Sequence, residues 1–177
     1  MFDFASKLFI INSMLAIVII SLGILSRLLV HTPNFTPVLS MAFLGGMYLR
    51  GRQAILVPLA LMVISDLIIG SYPLMLLTWG SMALIGVLGL CLKQRKSFAA
   101  VLGGSILSAL IFFVVTNFGA WLTLYPHTLN GLQQCYILAI PFFRSTLAST
   151  VAYSLVFYAA YEWLLKRSQG SSMARFV

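Results

Sequence analysis

Three ionisable residues stand where a strongly apolar chain can least afford charge: Arg27, Asp66 and Arg144. An ionised side chain inside a membrane span costs about 2.5 to 3.5 kcal/mol, so such groups either pair with one another or line a polar cavity. Two arginines share one carboxylate, and Asp66 therefore has three candidate partners: Arg27, Arg144 or a ligand. An arginine left without a carboxylate suits a ligand bearing a carboxylate or phosphate. Side chains able to hydrogen-bond gather at the same level. Asn34 and Thr36 lie in a segment stiffened by Pro33 and Pro37, and Asn117 brings a full amide into a span, where it needs partners. Trp121 shares a helix face with Asn117 at i, i+4, and reads either as a ligand contact or, with Tyr125, as part of an interfacial aromatic belt.

Catalytic chemistry has little to draw on. His31 and His127 are the only histidines, with no His-Glu-x-x-His pattern and no cysteine pair at zinc spacing. A Gly-x-Ser-x-Gly elbow and a phosphate-cradling Gly-x-x-x-x-Gly-Lys loop are both missing. The expectation is a binding protein, not an enzyme, with no catalytic residue, metal or cofactor. The hydroxyl-rich face of Ser145, Ser149 and Thr150 reads as helix packing.

The elements that must position these residues follow from composition. The chain has 177 residues, 61% hydrophobic and 8% charged, with a mean hydropathy of +1.04. Soluble domains carry about 25% charged residues, so lipid is the solvent here, and soluble enzymes, nucleic-acid binders and disordered tails are excluded. Crossing about 30 Å of hydrocarbon takes about 20 apolar residues. Apolar runs predict an all-α membrane protein, a six-transmembrane-helix bundle occupying 1–177 as one domain. The spans fall at about 8–30, 34–50, 53–70, 74–92, 98–122 and 142–165. The second is short for a full crossing, and either borrows from 33–37 or ends in a loop that dips inward. Pro141 divides the last run into a short outer segment, 128–140, and the sixth span, followed by a flexible tail over 166–177.

Charge then sets the orientation. With the N-terminus inside, nine of the 11 Lys and Arg residues (Lys7, Arg50, Arg52, Lys93, Arg95, Lys96, Lys166, Arg167 and Arg175) are cytoplasmic. The connections near Pro33, Pro73 and Pro126 carry none. This partition predicts both termini in the cytoplasm of a multi-pass protein of the bacterial cytoplasmic (inner) membrane. It also accounts for the net charge of +8 without a nucleic-acid partner. Arg27, Asp66 and Arg144 all fall in the outer third.

Several motifs carry a family likeness: Asn34-Phe35-Thr36-Pro37 with Phe43-Leu44-Gly45-Gly46, Leu56-Val57-Pro58 with Ser65-Asp66-Leu67, Thr116-Asn117-Phe118-Gly119, and Ile140-Pro141-Phe142-Phe143-Arg144. With these, nearly the whole chain resembles a group of small uncharacterised bacterial six-span membrane proteins. That group is similar to the S components, the substrate-binding subunits, of energy-coupling-factor (ECF) transporters. The resemblance implies a bundle that captures a micronutrient at its outer face and hands it inward with a transmembrane coupling subunit and cytoplasmic ATPases. It makes Asn34, Phe35 and Thr36 a lid loop, Asp66 and Asn117 polar site residues, and Arg144 the cationic anchor. The small-residue Ala-x-x-x-Ala docking face of S components is replaced in span one by Ser13, Ala16 and Ser21, which lack that spacing. Coupling to a shared energising module and action alone both stay open. The functional expectation is a substrate-binding subunit for uptake of a vitamin-like or small anionic metabolite, with the lipid bilayer and that small molecule as partners. The alternative is a six-span scaffold subunit of an envelope or cell-shape complex.

Overall fold

The computed structural model describes residues 20–28, 34–49 and 51–169, with side chains described as far as Trp163. Most of the first expected span, His31, Pro33 and the end of the expected tail lie outside the described residues. Among the described residues the structure is helical throughout, without a strand. The helices are α1 (described over 20–28), α2 (Val38–Tyr48), α3 (Gln53–Ile69), α4 (Met75–Leu92), α5 (Phe98–Leu124) and α6 (Leu129–Gln169).

Short connections join α3 to α4, α4 to α5 and α5 to α6, so neighbours in sequence pack as antiparallel neighbours in space. Their ends are capped by local chemistry. Ser97 accepts the Ala100 N–H at the start of α5, and Gly70, at φ 110°, ends α3 while its N–H closes onto the Asp66 carbonyl. α4, α5 and the 129–163 part of α6 are each long and apolar enough to cross a membrane, and about 30% of each is buried inside the bundle. Their remaining surface is apolar: Leu76 is 75% exposed and Ile137 63%. Water would not tolerate that coat, and the chain is a membrane protein.

α2 has a different environment. It spans 11 residues, about 16 Å, and every residue from Val38 to Met47 is buried. It packs most extensively on α4, and also touches α3, α5 and α6. Glycines permit the approach to α4: a Cβ on Gly46 would run into the Gly86 carbonyl oxygen, and one on Gly89 into that of Phe43. At the lower end of α2, Lys93 Nζ donates to the Leu49 carbonyl at 3.0 Å, beside the basic α4–α5 turn. At its upper end the chain is not helical, since Asn34 turns with φ 58° and Pro37 precedes the first turn. The described residues 34–37 before α2 are not helical, so they do not lengthen it. A helix covering about half the hydrocarbon thickness leaves the opposite half of the bundle's centre open.

α6 departs from expectation. Pro141 does not divide it, and Leu129–Gln169 is one helix of 41 residues, about 60 Å. A helix interior in this setting accepts proline because neighbouring helices and local adjustment satisfy the freed backbone groups.

Candidate functional site

Asp66 is 2% exposed and sits one turn before the end of α3, where three elements converge on its carboxylate. Arg27 on α1 meets Oδ1 through Nη2 at 2.7 Å. Trp79 Nε1 on α4 and the Tyr72 hydroxyl in the α3–α4 connection both donate to Oδ2, at 2.7 and 3.2 Å. Burial pushes the Tyr72 phenol above its usual pKa, so its proton stays available for this bond. Arg27 is held in turn by Nη1, which donates to Ser65 Oγ at 2.6 Å and to Met62 Sδ at 3.2 Å. A buried ion pair offsets its desolvation best when further hydrogen bonds satisfy it; here Oδ2 takes two donors, while Oδ1 has the Arg27 contact alone. The pair is neutral as a unit. The Arg27 side chain is 17% exposed and lines the open half of the bundle.

That space is a cavity of two adjoining lobes, about 360 and about 260 Å³. Asn34, Tyr72, Thr78, Phe112 and Thr146 line both. The first lobe adds Arg27, Thr36, Met62 and Met82, with Val38 and Leu39 from the first turn of α2. The second is aromatic, adding Phe113, Phe142 and Phe143 together with Thr116 and Asn117. From α6 come Ala139, Phe142, Phe143 and Thr146, an i, i+3, i+4, i+7 stripe that defines one helix face. Both volumes fall in or near the range of small-molecule pockets, which are apolar clefts with a few placed polar groups.

Hydroxyl direction gives this wall its character. Thr78 donates to Leu74 O at 3.0 Å, Thr116 to Phe112 O at 2.7 Å and Thr146 to Phe142 O at 3.0 Å. A carbonyl oxygen can only accept, so in these bonds the threonine hydroxyl donates to its own helix and its Oγ1 lone pairs can accept, while Thr78 also lies within hydrogen-bonding reach of Tyr72. Asn117 likewise donates Nδ2 to Phe113 O at 2.8 Å, which leaves its side-chain carbonyl oxygen able to accept.

The expected site residues divide three ways. Arg27, Asn34, Thr36 and Asn117 line the cavity. Asp66 lies behind the wall as the partner of Arg27 and Tyr72. Phe35, Trp121 and Arg144 are elsewhere. The Phe35 ring packs on Tyr153 at 5.9 Å, and Trp121 packs on Phe118 and His127 while donating to Pro126 O across the α5–α6 turn. Arg144 is exposed and lies about 200° around α6 from Thr146, off the stripe that faces the cavity. Of the three ionisable residues read at one depth, two are paired and the third points to a different side of its helix. Thr78, Thr116 and Thr146, the phenylalanine pairs 112–113 and 142–143, and Trp79 were not among the expected site residues. Their signal in the sequence is the spacing of Thr146 from Phe142 and Phe143, visible once the face of α6 is known.

Among the described residues no three of His, Cys, Asp and Glu come together as metal ligands. Cys135 is buried and Cys91 exposed, and both are free thiols.

Fold and cavity define a helical membrane protein with a ligand-sized hollow in one half of its bundle. The chain belongs to the Family of unknown function (DUF6580), whose family model matches residues 7–172. No curated protein and no solved structure matches the chain significantly.

Proposed function

We propose that this protein is the substrate-binding transmembrane subunit of an uptake transporter for a vitamin-like small molecule, built as six spans in the bacterial cytoplasmic membrane. The two-lobed cavity carries the reading, because packing alone has no use for it and polar side chains of Arg27, Asn34 and Thr36 line it. Its end of the bundle is the one away from Lys93, Arg95 and Lys96, so by the positive-inside rule the cavity is the outer, capturing face. The role is binding, not catalysis, since the one acid at the site is tied to three partners. Release inward depends on a transmembrane coupling subunit with cytoplasmic ATPases or on this chain alone.

The test is a thermal-shift screen of the purified full-length chain in lipid nanodiscs against a fractionated small-molecule extract. A ligand present at about 100 times its Kd adds about 2.7 kcal/mol of stability, so at least one fraction is expected to raise the unfolding temperature. Asn117→Leu should abolish that rise. If no fraction stabilises the protein, the alternative takes its place. That alternative is a six-span scaffold subunit of an envelope or cell-shape complex, favoured by the way Asp66 ties α1, α3 and α4 together.

A further inference from the structure

We infer that the molecule the cavity takes is a flat, uncharged nitrogen heterocycle bearing N–H donors. The inference rests on the capture reading above and adds the class of ligand.

Charge is decided first. Asp66 neutralises Arg27, and among the described residues no other Lys or Arg lines either lobe. An anion would enter a low-dielectric space whose charge is already balanced and would sit close to the Asp66 carboxylate. The arginine that could have compensated it, Arg144, lies off the cavity face of α6. The sequence expectation of an anionic ligand therefore loses its physical basis.

Hydrogen-bond polarity is decided next. Thr116 and Thr146 donate to carbonyls of their own helices, and together with the Asn117 side-chain oxygen they present acceptors to the second lobe. A ligand made only of acceptors would leave these oxygens desolvated and unpaired, at a cost of the same order as a lost hydrogen bond for each. A ligand with N–H groups satisfies them. Donors line the space as well, from Arg27 and from the side-chain amides of Asn34 and Asn117, the latter keeping one Nδ2 N–H, and a ring nitrogen or carbonyl oxygen of the ligand would answer them.

Shape comes last. Phe112, Phe113, Phe142 and Phe143 line the second lobe, with the Phe113 and Phe143 rings 4.7 Å apart at 42°. Phenylalanine faces and edges favour a flat aromatic body by offset stacking or edge-to-face contact.

The experiment titrates the full-length protein in nanodiscs with cytosine and adenine, and separately with benzoate, benzylamine and indole, reading calorimetry and thermal shift. Saturable binding of cytosine or adenine, and none of benzoate, is expected. Thr146→Val and Thr116→Val keep the branched shape but remove an acceptor, and each should weaken that binding about 2- to 10-fold. Thr146→Ser keeps the oxygen and should hold affinity within about twofold; it also serves as the folding control. Preferential binding of benzoate, benzylamine or indole overturns the inference while leaving capture by the cavity intact, and so does heterocycle binding indifferent to both valine variants. Silence across all five probes overturns it as well, and the extract screen then decides separately whether the cavity captures anything.

Discussion

The two carboxylate oxygens of Asp66 tie α1, α3 and α4 together. Removing one partner of a buried ion pair costs about 3 to 5 kcal/mol, mostly because the other charge is left uncompensated, whereas replacing both by apolar groups is often neutral. Asp66→Asn should therefore lower the unfolding temperature in detergent more than the double variant Arg27→Met/Asp66→Asn does. Equal losses in the two would show that the pair is not what holds these helices. The existence of such a residue was legible: a lone acid in a hydrophobic run must find a cation, and Arg27 lay at the matching depth. Its neutral donors were not, since nothing in the local sequence of Trp79 or Tyr72 says which way a ring will turn. Arg144 shows the same limit from the other side. Depth follows from counting residues along a span, but the face a side chain occupies follows from helix phase and packing.

Between helices, the closest contact is the crossing of α2 with α4, where Gly46, Gly86 and Gly89 replace side chains by backbone. Overpacking a tight contact costs about 1 to 3 kcal/mol. Gly46→Ala and Gly89→Ala are both expected to lower stability, read as a reduced midpoint in thermal unfolding. Gly103 lies inside α5 on its open side, where an added Cβ would meet nothing within 4 Å. Gly103→Ala should gain up to about 1 kcal/mol from helix propensity, so the sign reverses between sites. A common sign would mean that α2 and α4 have room to part. The shortness of the apolar run at 38–49 already announced that α2 could not cross a membrane alone. The continuity of α6 through Pro141 was hidden, because the rule that proline ends helices is calibrated on water-exposed backbone, and here lipid offers freed carbonyls no alternative partner. The threonines and phenylalanines of the cavity were hidden for a plainer reason. Both types are common all around membrane helices, so only packing distinguishes the copies that face inward.

Across the whole molecule, the cavity and the basic turn lie at opposite ends of the bundle. With Cys91 and Cys135 replaced by serine, single cysteines at Gln94 and His127, both exposed, should react with a membrane-impermeant maleimide from opposite sides: His127 in intact cells, Gln94 only after the membrane is opened. Labelling of both from one side would overturn the six-span orientation. The buried α2 has a consequence for how the protein comes into being. Its neighbours are still unmade when it leaves the ribosome: Ser40 awaits the Thr150 carbonyl it will donate to, at 2.8 Å, and Leu49 awaits Lys93. The bundle therefore cannot close in the order of its synthesis. Its innermost helix must be sheltered, by a membrane insertase or at the bilayer surface, until the last helix arrives, and a nascent chain stopped before α6 has no finished core to hide from quality-control proteases.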